Sequence, residues 1–172
     1  MKRHIELLVV VICMLVLGPS CTYKLNLTGG SVGNLKTIRV DFFENNAALV
    51  VNNLSTQFTE ALKERIRNTT KLAIVTGDAD AVMSGSITNY TIAPVSINAV
   101  ANNVAPIAGA TQLTITVEVK YVNNLDKKTS FDQTFSKYQN FTGDITNQQQ
   151  TLITAINTQL TEDIFNAAFA NW

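Results

Sequence analysis

Histidine is nearly missing from this sequence. The 172 residues contain one, His4, so nothing beyond the first few positions can supply an imidazole. Ser-His-Asp hydrolases, Cys-His proteases and His-ligated zinc sites are thereby excluded in their usual forms. Cysteine is almost as scarce, with Cys13 and Cys21 alone, which rules out a disulfide framework. Neither sign of charge dominates, since 13 basic side chains face 13 acidic ones. Non-specific nucleic-acid binding needs a basic footprint, and this chain has none overall. Its densest basic stretch, "KERIRNTTK" from Lys63 to Lys71, alternates with apolar residues at helical spacing. It reads as the solvated face and end of a helix. No glycine-rich phosphate loop follows a strand, because Gly29, Gly30 and Gly33 precede the first one.

Carboxylates are what remain for chemistry. Asp41 and Glu44 close a strand, and Asp78 and Asp80 sit in a turn. Paired acids can act as general acid and base, and D-x-D can open a calcium loop. "DADAV" lacks the further oxygen ligands and the terminal glutamate such a loop needs, so turn and strand-cap roles are expected. No catalytic residue, metal or cofactor is expected, and the chain does not read as an enzyme.

The N-terminus is organised for export. Leu7 to Leu17 is almost wholly apolar and follows Lys2, Arg3 and His4, with Glu6 at its edge. At about eleven residues the run has signal-peptide length and is too short to span a membrane as a helix. A buried core helix is the alternative. Lys2, Arg3 and Glu6 would leave with residues 1–20, so 11 basic and 12 acidic side chains stay behind. Cys13 would leave too, and Cys21 then has no partner. Gly18 and Ser20 are small residues ahead of it, and "LGPSC" resembles the lipobox of bacterial lipoproteins, although Gly18 stands where leucine is commonest and Pro19 is unusual. That resemblance implies that Cys21 becomes the mature N-terminus, thioether-linked to diacylglycerol and acylated on its amine. Each buried methylene contributes roughly 0.8 kcal/mol, and two or more chains anchor stably. A free structural thiol is the alternative role for Cys21.

Residues 21–34 are expected to be a lipidated tether, although Tyr23, Leu25 and Leu27 alternate as a short edge strand would. The folded body is expected from residue 35 to 172. Ile38, Val40 and Phe42 alternate with Thr37, Arg39 and Asp41, a half-buried strand. Leu54, Phe58, Leu62 and Ile66 keep an i+4 spacing and predict an amphipathic helix, with Asn53 or Ser55 to cap it. "KLAIVTG" reads as a short buried strand. A long strand follows from about Ala81 to Ile92, broken at Gly85 and stopped by Pro94. Leu113, Ile115, Val117, Val119 and Tyr121 share one face of the cleanest strand, opposite Thr114, Thr116, Glu118 and Lys120. "SFDQTFSKYQNF" returns as its hairpin partner. Thr146 to Phe169 closes the chain as a helix, with Leu152, Ile156, Leu160 and Ile164 at i+4. The aromatic residues are assigned to packing, Trp172 included. The order β-α-β-β-β-β-α gives an α+β fold: two helices packed on one face of a mainly antiparallel sheet of four to five strands.

Between the two long strands lies "NAVANNVAPIAGATQ", residues 98–112, a loop with Val104, Pro106 and Ile107 and no charge. A connection this long is generally functional or disordered. Packing back on the domain is one fate for its apolar residues, and contact with a partner or with acyl chains is the other.

"GSITNYTIAPVSI", "LTITVEVKYVN", "FDQTFSKYQNF" and "QLTEDIFNAAFANW" together resemble the LptE-related lipoproteins of Bacteroidetes-type bacteria, across Cys21 to Trp172. The resemblance implies two helices on a mainly antiparallel sheet. It also implies an outer-membrane lipoprotein with its body on the periplasmic side, which partners the LptD β-barrel, partly plugs it and aids delivery of lipopolysaccharide to the cell surface. Thr114, Thr116, Glu118 and Lys120, with Val104, Pro106 and Ile107, are the candidate partner-facing residues. Two other roles stay open: a periplasm-facing lipoprotein that binds a hydrophobic ligand in its own pocket, and an assembly factor of another envelope machine.

Overall fold

The computed structural model describes residues 32–49, 51–95 and 110–170. The strands are β1 (Thr37–Val40), β2 (Glu44–Asn45), β3 (Ala73–Ile74), β4 (Ala81–Pro94), β5 (Ala110–Asn123) and β6 (Phe131–Thr142). Helix α1 (Leu54–Thr69) lies between β2 and β3, and α2 (Gln149–Phe169) ends the chain. The sheet runs β3-β1-β4-β5-β6, five strands on one path, and the two-residue β2 also pairs with β4 as a sixth. β4, β5 and β6 are joined antiparallel over almost their whole lengths. The short strands β1, β2 and β3 pair parallel, because α1 returns the chain between β1 and β3. The α+β architecture expected from the sequence is the one observed.

Both i+4 stripes go into the core. Leu54, Phe58, Leu62 and Ile66 of α1 are fully buried, as are Ile156, Leu160 and Ile164 of α2. On α2 the deep position of the first turn belongs to Ile153, and Leu152 is half-buried. Helix α2 begins three residues later than expected, after a turn in which Asp144 accepts from the Thr146 backbone N–H at 2.8 Å and its hydroxyl at 2.7 Å. Asn53 does precede α1, but its φ of 65° is left-handed and its side chain makes no capping hydrogen bond. The expected N-cap oxygen is therefore absent at both Asn53 and Ser55, which lies inside the helix.

Three strand expectations need correction. Phe42 does not continue the inward row: it is 56% exposed, whereas Phe43 is fully buried. The register explains this. From Val40 to Glu44 the chain spends one residue more than β4 spends between their partners, Met83 and Ser86. That excess acts like a bulge and inverts the alternation. Phe43 then meets Phe58 edge-on at 5.1 Å, and its backbone N–H donates to the buried Thr59 hydroxyl at 3.1 Å.

Gly85, secondly, does not break β4. A Cβ there would lie 2.6 Å from Phe43 Cε1 and 2.0 Å from the Glu118 carbonyl oxygen, so the missing side chain is what lets Phe43 and β5 approach. The true irregularity falls between Ile87 and Asn89, where one extra residue keeps both Ile87 and Tyr90 inward. Thirdly, "KLAIVTG" buries Leu72, but Ala73 is exposed, because among the described residues β3 is an edge strand paired with β1 alone.

Of the aromatic residues on β6, Phe141 is buried, Phe131 and Phe135 are half-buried, and Tyr138 is 56% exposed on the opposite face. Trp172 lies outside the described residues.

Candidate functional site

Because both helices lie on one side, among the described residues the other face of the β4-β5-β6 sheet is free of helix. The alternation that buries Leu113, Ile115, Val117, Val119 and Tyr121 turns Thr114, Thr116, Glu118 and Lys120 outward. Register extends each into a row across three strands. Thr114 lies between Thr91 and Tyr138, and Thr116 between Asn89 and Ser136. Glu118 lies between Ser86 and Thr134, and Lys120 between Ser84 and Asp132. The Thr116 and Ser136 hydroxyl oxygens are 3.0 Å apart and share one hydrogen bond. Gln112 Nε2 donates to Asn140 Oδ1 at 3.1 Å in the next row, and Arg39 Nε donates to Asp41 Oδ1 at 2.9 Å beyond Val82. Short hydroxyls and amides thus tile this face, with charge of both signs concentrated at its Lys120 end.

The four sequence candidates on β5 come together as one stripe. Their neighbours on β4 and β6 escaped sequence reasoning. The bulge after Ile87 scrambles the parity of Ser84, Ser86, Asn89 and Thr91, and on β6 the outward row mixes Asp132, Thr134, Ser136 and Tyr138 with no apolar contrast. Cys21, Val104, Pro106 and Ile107 lie outside the described residues. The strands that flank the loop end in the exposed stretch Thr91–Pro94, where Ile92 is 39% exposed.

Asp80 and Asp144 each accept backbone hydrogen bonds. Asp80 Oδ2 accepts from the backbone N–H groups of Lys36 (2.8 Å) and Thr37 (3.0 Å), and its own N–H donates to the Thr37 hydroxyl (2.9 Å). This reciprocal clasp ties the start of β1 to the start of β4, and those backbone donors hold the carboxyl below its ordinary range. Asp144 is likewise lowered by the Thr146 N–H. Burial pushes the Tyr121 hydroxyl up to about 12, so it stays protonated inside the core. Among the described residues no three His, Cys, Asp or Glu side chains converge as a metal site.

Cavities among the described residues sit at the rims of the fold. One of about 230 Å³ lies between Val32, Leu35, Tyr121, Asn123 and Phe169. Another of about 270 Å³, between α1 and α2, is lined by Glu64, Arg65, Asn68 and Thr158. Neither is an apolar chamber of the kind that holds a hydrophobic ligand. Among the described residues no helix is long and apolar enough to cross a membrane.

A two-helix, mixed-sheet body with a polar open face narrows the kinship, and the family model for lipopolysaccharide assembly, LptE, matches residues 35–168. The chain belongs to the LptE family. Membership gives it a role in lipopolysaccharide assembly at the outer membrane, within a family of assembly lipoproteins of the cell envelope. No curated protein matches the sequence. Among solved structures, a hypothetical protein from Chlamydia trachomatis is 14% identical, with a TM-score of 0.54 over 80% of this chain and 99% of its own. A protein from Xanthomonas campestris is 9% identical, with a TM-score of 0.57 over 82% of this chain and 87% of its own. Both are similar in fold, and this LptE-family chain spans most of each.

Proposed function

We propose that this protein is an outer-membrane lipoprotein, anchored through Cys21, whose body lies on the periplasmic side and partly plugs an LptD-type β-barrel. In that position it aids delivery of lipopolysaccharide to the cell surface. The observation that carries the reading is the sheet face that no helix among the described residues covers, polar across β4, β5 and β6. The lumen of an outer-membrane barrel is itself polar and water-lined, so hydroxyl rows and balanced charge suit it better than an apolar patch would. Thr114, Thr116, Glu118 and Lys120 are the proposed barrel contacts. The uncharged loop with Val104, Pro106 and Ile107 extends from the exposed end of β4 and is assigned to the barrel or to acyl chains.

Photo-crosslinking in cells tests this. A crosslinker at Thr116 or Glu118 should capture a large β-barrel, whereas one at Glu64 or Glu162, exposed on the helix side, should not. Equal capture at all four positions, or capture of another envelope complex, refutes the assignment. Cys21→Ala should abolish labelling by a fatty-acid analogue, and persistent labelling rules Cys21 out as the anchor.

A further inference from the structure

β6 closes one side of the sheet over twelve residues, and among the described residues only β5 pairs with it. Alternate backbone N–H and C=O groups along its far side therefore point away from the sheet. Native proteins rarely leave so long an edge uncovered. Its inward face is also unfinished, since Phe131 and Phe135 pack against the core yet remain half-buried. The inward Lys137 is already taken by Asp163 of α2, at 2.6 Å.

The chain ahead of β1 leads towards this edge. Lys36 and Thr37 are clasped by Asp80 at the start of β4. Val32 has already crossed to the other side of the sheet end, where it lies with Leu125, Asp126 and Thr129 of the β5-β6 turn and Phe169 of α2. Phe169 stacks edge-on to Tyr121, and Tyr121 lies against Phe131, the first residue of β6.

We propose that "TYKLNLTGGS", residues 22–31, continues along β6 as an added antiparallel strand. A chain that arrives at the Phe131 end in its N-to-C direction must run opposite to β6. Ten extended residues reach about 33 Å, against roughly 40 Å for β6, so the segment spans most of the edge. Its two alternating sets match the two faces. With Leu27 opposite Phe135, antiparallel pairing sets Leu25 opposite Lys137 and Tyr23 opposite Gln139, and all three apolar side chains finish the inward face. Thr28, Asn26 and Lys24 then fall opposite Thr134, Ser136 and Tyr138 and extend the polar rows by one strand. A one-residue slip would send each set to the wrong face. Gly29 and Gly30 leave the backbone free to turn between Leu27 and Val32. Docked this way, Cys21 sits at the Asn140–Thr142 end of β6, the end at which β4 stops and β5 begins. On the reading of Cys21 as the lipidated residue, that end of the sheet lies nearest the membrane.

Hydrogen exchange on the purified mature lipoprotein in detergent tests the docking. The outward amides of Thr134, Ser136 and Tyr138 should exchange at least 100-fold more slowly in the parent than in Asn26→Pro, which removes a strand donor that faces β6. Exchange that is equally fast, or equally slow, in both proteins overturns the proposal. A second measurement is disulfide formation: Leu27→Cys with Phe135→Cys should close a bond within one chain, and Asn26→Cys with Phe135→Cys should not. A bond between two chains assigns the edge to a second copy, and protection that appears only when the barrel is added assigns it to the barrel. Either result overturns the proposal. Neither measurement in the purified chain uses the barrel, so its outcome is independent of the function proposed above.

Discussion

Replacing Gly85 with alanine should cost this fold more than any other single methyl group added to its described glycines. The new Cβ would lie 2.0 Å from the Glu118 carbonyl oxygen, 3.0 Å from its carbonyl carbon and 2.6 Å from Phe43 Cε1. Ordinary contacts of this kind sit near 3.5 Å. The Phe43 ring can tilt, but the Glu118 carbonyl belongs to β5, which pairs with β4 on either side of this point. Moving it by about 1 Å stretches neighbouring ladder hydrogen bonds from roughly 2.9 Å past the bonding limit, at about 1 kcal/mol each. Overpacking adds about 1–3 kcal/mol, so the expected loss is roughly 3–5 kcal/mol. For a body of this size each kcal/mol lowers Tm by about 2–4 °C, which makes the shift about 6–20 °C.

The assay is urea unfolding of the mature chain, followed by circular dichroism. Gly77→Ala is the control, because nothing lies within 4 Å of its added methyl and its φ is not positive. It should be neutral or stabilising by about 0.4–1 kcal/mol. Phe43→Leu in the Gly85→Ala background should recover only part of the loss, since the carbonyl contact persists. A Gly85→Ala chain within about 0.5 kcal/mol of the parent would refute the close approach of β4, β5 and Phe43.

Two neighbouring phenylalanines should separate sharply in the same assay: Phe43→Ala is expected to lose about 3–5 kcal/mol and Phe42→Ala less than about 0.5. Comparable losses would refute the inverted alternation. The Asp80 clasp predicts an acid dependence. Its folded pKa is depressed, so its contribution is present above the ordinary carboxylate value and is lost as pH falls through the folded value. Asp80→Asn should therefore flatten the fall in stability below about pH 4, read from urea midpoints across a pH series. An unchanged slope would mean that the carboxylate is not held by the Lys36 and Thr37 backbone groups.

What the sequence determined by itself is whatever repeats along one element. The stripe Leu54, Phe58, Leu62 and Ile66 and the row Leu113 to Tyr121 follow from helix and strand periods, and every member is buried. The outward turn of Thr114, Thr116, Glu118 and Lys120 follows from the same row. The roles of Asp80 and Gly85 needed a partner strand to interpret. A turn aspartate becomes a clasp only when β1 lies beside β4, and a glycine becomes obligatory only when Phe43 and β5 press against it. Phe42 and Phe43 exchange places because the chain from Val40 to Glu44 spends one residue more than β4 spends from Met83 to Ser86, a mismatch that no local pattern records. The polar face is likewise a product of register. Ser86, Glu118 and Thr134 are far apart in the chain and share one row, because hydrogen bonding between backbones, blind to side-chain identity, sets which residues stand side by side.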